Sequence, residues 1–337
     1  MTPFVTLVAQ VEKSRTVEKT FNVTSSTLLS ISNKYGDVHI DTWDKNVIEL
    51  KVTITAEKRS ESQAQAYLDK VDIDISESSS HIEVETEITG SINNRGGESL
   101  SIDYEVSMPK SNDLELKHAY GNLYLADLDG DITLKMSYGN MTVGTLGGEG
   151  NVKLSYGNGE IEGLNIGLLS IGYSNLSAEA LGKVELTSQY SNVELSEIKD
   201  IELMNKYGKV EIDEIDNIRG SSRYGNIEIG RLNNSLILDL LHGNGVNVDW
   251  ISKDFNRIEI DASYAGSSLR FERGFSAELE AYFKYSGLKY SEEDFDFAYV
   301  NKGTSTSEYK GRIGSGSSTS KIKLESSYGS IKIGYAR

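Results

Sequence analysis

Four sets of side chains recur at spacings that could support chemistry. Tyrosine comes first, at Tyr35, Tyr120, Tyr138, Tyr156, Tyr173, Tyr190, Tyr207, Tyr224, Tyr264, Tyr285 and Tyr328, with His242 in the same slot. Most are followed by Gly or Ser and then by a small polar residue, as in Ser137-Tyr138-Gly139-Asn140. A surface column of such rings would stack against sugars. Two positions past the tyrosine runs a row of asparagines, Asn122, Asn140, Asn158, Asn175, Asn192, Asn226 and Asn244. Two charged rows follow: Lys117, Lys135 and Lys153 in one slot, and Glu194, Glu211 and Glu228 in another, with Glu160 two repeats before Glu194. Like charges at strand spacing repel unless screened, so a ligand could compensate either row and a cation the acidic one. Finally, Glu211, Asp213 and Arg223 are the residue types with which enzymes on repetitive β scaffolds cleave polysaccharides.

Each set also has a plainer reading. The tyrosine shares parity with the apolar residues two, four and six places before it, which predicts an inner corner with the hydroxyl reaching the turn. The asparagines predict a structural amide ladder, and the intervening Gly a left-handed turn. The lysine and glutamate rows also suit a solvated face. His39, His81, His118 and His242 have no metal-ligand spacing, and phosphate-loop and nucleophile-elbow motifs are missing. Catalytic, cofactor and metal residues are therefore not assigned.

The elements that would hold these rows follow from their period. From Tyr120 to His242 the steps are 18, 18, 17, 17, 17, 17 and 18 residues, the mark of a stacked repeat. Four residues before the tyrosine stand Ile31, Leu116, Leu134, Val152, Leu169, Leu186, Leu203, Gly220, Leu238, Ile260, Ala281 and Leu324, while the next slot is mostly polar. That alternation predicts half-buried strands. After the Gly the parity shifts, with apolar residues three, five and eight places past the tyrosine, so each coil has three inward contacts and closes on itself. The predicted fold is all-β: a right-handed parallel β-helix of 17 to 18 residue coils.

The rhythm breaks between Tyr35 and Tyr120. Residues 20–43 read as the first coil, 44–110 as a β-rich cap with a short helix at 60–70, and 111–337 as the β-helix proper. Beyond His242 the steps lengthen, which predicts longer loops, a coil that has lost the motif near Tyr309-Lys310-Gly311, and a flexible turn at Gly314–Ser320. The cluster Asn93–Gly97 reads as a turn. Residues 1–19 read as a disordered tail or the remainder of an export signal cleaved near Ala9.

Asn33-Lys34-Tyr35-Gly36-Asp37-Val38 leading to Thr42-Trp43-Asp44, Val106-Ser107-Met108-Pro109-Lys110 before Leu114-Glu115-Leu116, and the closing Ile322 to Ile331 together resemble the putative adhesin domain family of bacterial envelope proteins. The resemblance spans about residues 20–335. It implies a β-solenoid with no shared catalytic motif, located outside the cytoplasm in the periplasm or on the cell surface.

Composition narrows the partners. With 34 basic and 51 acidic residues the net charge is −17, which opposes nucleic acid as the main partner. The chain has no cysteine, and no apolar run reaches the length that spans a bilayer. The expected role is a non-enzymatic, adhesin-like binding or structural module whose partner is a glycan or an envelope or surface protein. A polysaccharide lyase or hydrolase on the same scaffold is the alternative.

Overall fold

The computed structural model describes residues 10–92, 98–292, 295, 297–314 and 319–336. The chain divides into two compact units, Met1–Gly159 and Glu160–Arg337. Both are all-β solenoids, built from parallel strands stacked in register.

In the first unit Leu28–Lys34 pairs in parallel with Leu114–Ala119, that strand with Ile132–Ser137, and that in turn with Asn140–Ser155. Register sets Ile31, Leu116, Leu134 and Val152 side by side, all buried. Past the corner, Val38, Leu123 and Met141 form the next inward ladder. Leu128 and Leu146 form the third, joined by an isolated parallel bridge. Three inward contacts per coil thus enclose a filled core, in which each buried Leu or Ile is worth about 1.5–3 kcal/mol.

In the second unit Asn175–Gln189, Asn192–Lys206, Lys209–Ile251 and Arg257–Phe271 pair successively in the same way. The run Lys209–Ile251 keeps its strand pairing through two left-handed corners, at Tyr224 and His242. Gly220, the exception in the apolar row, has φ +141°, and a Cβ there would meet the Leu203 carbonyl oxygen at 1.9 Å.

Both units end their parallel stacks with antiparallel strands. In the first, His81–Ile88 and Ser99–Pro109 lie beside the first coil. Val71–Glu77 then pairs antiparallel with the former, Val47–Lys58 with the latter, and Val11–Asn22 with Val47–Lys58. The helix Glu61–Leu68 starts from Ser60, whose hydroxyl accepts from the Gln63 amide at 3.4 Å. It packs on Val11–Asn22 and Val47–Lys58. Capping strands that pair antiparallel leave the parallel coils no open edge at this end.

Val11–Asn22 corrects the expectation of a disordered tail through residue 19. Its alternating residues pair along the whole of Val47–Lys58, which satisfies a backbone that sequence period alone left unassigned. The proposed cleavage near Ala9, the Asn93–Gly97 turn and most of Gly314–Ser320 lie outside the described residues.

The second unit holds a further correction. The Tyr309 segment is no degenerate coil. Thr306–Gly314 runs antiparallel to Ser276–Lys284 as a cap, with Tyr309 buried, and Tyr299–Lys302 pairs antiparallel outside it. The missing coil is supplied by the C-terminal segment. Ser320–Ser327 lies between Arg257–Phe271 and Ser276–Lys284, parallel to both.

Every non-glycine residue with positive φ among the described residues is a member of the tyrosine row, from Tyr190 at 51° to Tyr35 at 65°, with His242 at 53°. The left-handed residue at the corner is therefore the tyrosine, and the following Gly139 is absent from the positive-φ set. Gly139 is required for a different reason. Its backbone passes so close to the coil beneath that a Cβ would sit 1.7 Å from the Gly121 carbonyl oxygen. Where Ser174 and Ser191 take this slot on successive coils they are buried, and the Ser191 hydroxyl donates to the Gln189 carbonyl at 2.8 Å while accepting from the Ser174 amide.

Two outcomes test this packing. Gly139→Ala should lower stability by more than about 1 kcal/mol through overpacking against backbone that cannot yield. Gly334→Ala, where a Cβ meets nothing within 4 Å, should be neutral or slightly stabilising in the same urea titration. The second concerns His118, 3% exposed in the interior slot that Met136 fills one coil on. Burial holds its imidazole below the ordinary pKa. The unfolded chain takes up this proton as pH falls below about 6.5 and the folded chain resists it. The contribution is thus complete above that pH and declines below it. His118→Met should lose less melting temperature than the parent between pH 7.5 and pH 5, and equal losses would show that His118 is not the acid-sensitive group.

Candidate functional site

The tyrosine row forms an outer ladder, which overturns the inner-corner expectation. Excepting the half-buried Tyr35, its tyrosines are between 37% (Tyr207) and 55% (Tyr285) exposed. The parity rule applies only to extended backbone, and a residue at φ near 55° turns its side chain away from the core that its neighbours face. The rings instead meet each other. In the first unit Tyr35, Tyr120, Tyr138 and Tyr156 stack at centroid distances of 5.3, 5.0 and 4.9 Å. In the second, Tyr173, Tyr190, Tyr207, Tyr224, His242 and Tyr264 stack at 4.7 to 5.0 Å, and Tyr328 then Tyr285 complete the series.

This geometry limits what the ladder can do. Ring faces are occupied by neighbouring rings, so sugars cannot stack on them along the column. Edges and hydroxyls face solvent. Each non-glycine residue held at positive φ costs about 1–2 kcal/mol, against about 0.5–1.5 kcal/mol returned per aromatic pair.

Beside the rings the asparagine ladder is present in part. Asn122 Nδ2 donates to Asp37 Oδ1 at 3.2 Å, Asn140 Nδ2 to Asn122 Oδ1 at 3.3 Å and Asn158 Nδ2 to Asn140 Oδ1 at 2.9 Å. In the second unit Asn192 Nδ2 donates to Asn175 Oδ1 at 3.2 Å. Asn226 departs, turning its amide to Glu228 at 2.7 Å.

The charged rows differ from one another. Lys117, Lys135 and Lys153 are in direct register and exposed. Lys117 is paired with Glu115 at 3.4 Å, whereas Lys135 and Lys153 make no ion pair among the described residues. Glu194 and Glu211 are likewise in register. This acidic row carries its own counter-ion: Lys209 Nζ lies 2.8 Å from Glu211 and 2.7 Å from Glu228. The Lys209 hydrogen bond holds the Glu228 carboxyl below its ordinary pKa, and the two carboxylates raise that of Lys209. Lys209 stands in register with Asn192, in the asparagine slot. That break in the asparagine row was the sequence signal for it.

Glu211 and Asp213 do share an open depression of 460 Å³ with Glu228, Asp249 and Arg270, and Arg270 is paired with Asp249. Arg223 is not brought there. It stands in register with Lys206 at the tyrosine corner, where its carbonyl accepts from the Tyr207 amide at 3.1 Å. A larger depression of 860 Å³ in the first unit, which sequence reasoning missed, is lined by Glu18, His39, Asp41, Glu49, Lys51 and Glu105 among others. His39 lies 3.2 Å from Asp41 and stacks on Tyr124 at 4.4 Å. The other histidines serve elsewhere: His81 bonds the Ser30 hydroxyl at 2.9 Å and His242 takes a rung of the ladder. Among the described residues no group of three or more His, Asp or Glu is arranged to hold a metal ion. No described helix is long and apolar enough to cross a membrane.

No family profile and no curated protein matches the chain. Solved structures do align along it. A putative cell adhesion protein from Clostridium sporogenes is 12% identical, covering 96% of this chain and 100% of its own, with a TM-score of 0.23. A putative adhesin from Bacteroides fragilis is 14% identical over 95% and 97%, at 0.29. A putative lipid binding protein from Parabacteroides distasonis is 10% identical over 94% and 96%, at 0.25.

Substitution at one rung separates the two energies of the ladder. Tyr138→Phe keeps the stack and should be close to neutral. Tyr138→Ala loses the stack yet keeps the left-handed backbone, so it should be the least stable of the three variants. Tyr138→Gly loses the stack but relieves the backbone, and should exceed the Ala variant by about 1 kcal/mol. Equal stability of the Gly and Ala variants in chemical denaturation would remove the left-handed strain from the account.

Proposed function

We propose that the chain is a non-enzymatic, exported β-solenoid of the bacterial envelope whose outer rows form an adhesin-like binding surface. The observation that carries this reading is the outward ladder. Tyrosine hydroxyls and ring edges are presented once per coil at about 5 Å, flanked in the first unit by the asparagine amides and by Lys135 and Lys153, which make no ion pair among the described residues. A surface whose elements repeat suits a ligand whose elements repeat. Many weak, equivalent contacts then add, and affinity grows with the number engaged at once. A glycan chain is the partner of that kind, bound through ring edges, amides and ammonium groups; an envelope or surface protein is the second candidate.

The lysine row is the part of the surface assigned to anionic groups on the ligand. The glutamate row is assigned a smaller share, because Lys209 already pairs with both Glu211 and Glu228 and offsets half of their charge, leaving Glu160 and Glu194 as the members without an ion pair among the described residues. Location outside the cytoplasm belongs to the same proposal and is supported by the sequence resemblance.

A glycan array of neutral and acidic polymers, run beside a turnover assay on the same polymers, tests the reading. Binding that strengthens with polymer length and weakens in Lys135→Glu, without new reducing or unsaturated ends, is the expected result. Release of such ends would make the chain an enzyme, and an array with no binding would remove the glycan.

A further inference from the structure

The phenols of the ladder are exposed, parallel and spaced within one another's reach, and nothing in the proposed binding role uses that chemistry. Tyr120 and Tyr138 lie 5.0 Å apart with rings 3° from parallel, Tyr138 and Tyr156 4.9 Å at 3°, and Tyr190 and Tyr207 4.7 Å at 6°. Backbone pairing holds the strands on which they stand in register, so each phenol has another phenol as a fixed neighbour. Exposure of about half of each ring leaves room for it to swing outward while the corner stays in place.

We propose that the ladder is a site of one-electron oxidation, at which neighbouring tyrosines couple into dityrosine and staple successive coils covalently. The co-reactant is a peroxide used by a haem peroxidase. Each of two phenols gives up one electron and one proton and becomes a phenoxyl radical. One carbon–carbon bond then forms between ortho carbons, and the hydrogens on those carbons move to the oxygens, restoring both phenols. The net loss is two hydrogens, and one hydrogen peroxide accepts the two electrons and two protons to give two waters. Fixing both partners on one scaffold replaces a bimolecular radical encounter by a unimolecular one, which favours coupling within the molecule over coupling between molecules.

The topology makes the pattern of cross-links specific. In the second unit the C-terminal coil is intercalated, so Tyr328 sits between Tyr264, at 4.7 Å and 2°, and Tyr285, at 5.0 Å and 18°. Tyr264 and Tyr285, nearest in sequence, are not adjacent in the ladder. His242 separates Tyr224 from Tyr264 and supplies no phenol.

The test is to treat the folded full chain with a haem peroxidase and hydrogen peroxide, digest it, and map dityrosine by fluorescence and mass spectrometry. Cross-links Tyr264–Tyr328, Tyr328–Tyr285, Tyr190–Tyr207 and Tyr120–Tyr138 are expected, each lighter by two hydrogens, in a yield that does not change with protein concentration. Tyr328→Phe keeps a ring in the stack and should lose both C-terminal cross-links while the others remain. Dityrosine that rises with protein concentration, a Tyr264–Tyr285 or Tyr224–Tyr264 link in the parent, or no dityrosine at all would overturn the proposal.

Discussion

Parallel strand pairing sets equivalent residues about 4.8 Å apart, and every other feature of the chain is fitted to that length. Core leucines and isoleucines lie side by side at this interval and are buried. Planar rings can follow it by stacking face to face. Side-chain amides can follow it by hydrogen bonding from one coil to the next, as Asn140 does to Asn122. Charges follow it badly, and the glutamate row shows the remedy. At one coil Lys209 replaces the asparagine and reaches Glu211 and Glu228 together.

The same length governs the corners. A chain that must turn within one 17 or 18 residue lap without leaving its ladder needs a residue at positive φ, and the coils place it at tyrosine instead of glycine. Glycine would make the turn at lower cost, yet it would supply no ring. The glycine that follows is used for the close approach of Gly139 to the Gly121 carbonyl. Tyrosine at the corner therefore exchanges backbone strain for an aromatic seam along each unit. The seam is exposed because the left-handed turn rotates it outward.

The legible and illegible parts of the sequence divide along this same line. Leu116, Leu134 and Val152 were assigned to the core because strand parity is a local rule, and each coil repeats it. Tyr138 was misplaced indoors because the rule was carried one residue too far, across the point where the backbone ceases to be extended. The parity shift seen after Gly139 was the trace of that turn. Intercalation of the C-terminal coil could not be read at all. It depends on the pairing of Ser320–Ser327 with both Arg257–Phe271 and Ser276–Lys284, a non-local choice that the local pattern around Tyr309 does not encode. Lys209 was visible as a break in the asparagine row, but its meaning needed the register of Asn192 with Lys209. The 860 Å³ depression around His39 had no sequence signal, since it depends on the pairing of residues 18–51 with the distant Glu105–Ser107.

A stack of strands also has to stop without recruiting another molecule, and Val11–Asn22 shows how charge contributes. Its odd positions carry Lys13, Arg15 and Lys19 and no acid, while its even positions carry Glu12 and Glu18 and no base. A second copy added antiparallel across this edge, about a two-fold axis normal to the sheet, would set residues of equal parity opposite each other. Every register of that pairing keeps Lys and Arg opposite odd positions and Glu opposite even ones, so none brings Lys to Glu. The intramolecular partner relieves the conflict at two places, since Val47–Lys58 sets Lys51 opposite Glu18 and the helix offers Glu61 to Lys13 at 2.8 Å, although the same register leaves Glu57 opposite Glu12. Sorting charge by parity thus lets the strand close its own unit while discouraging self-pairing through the same edge.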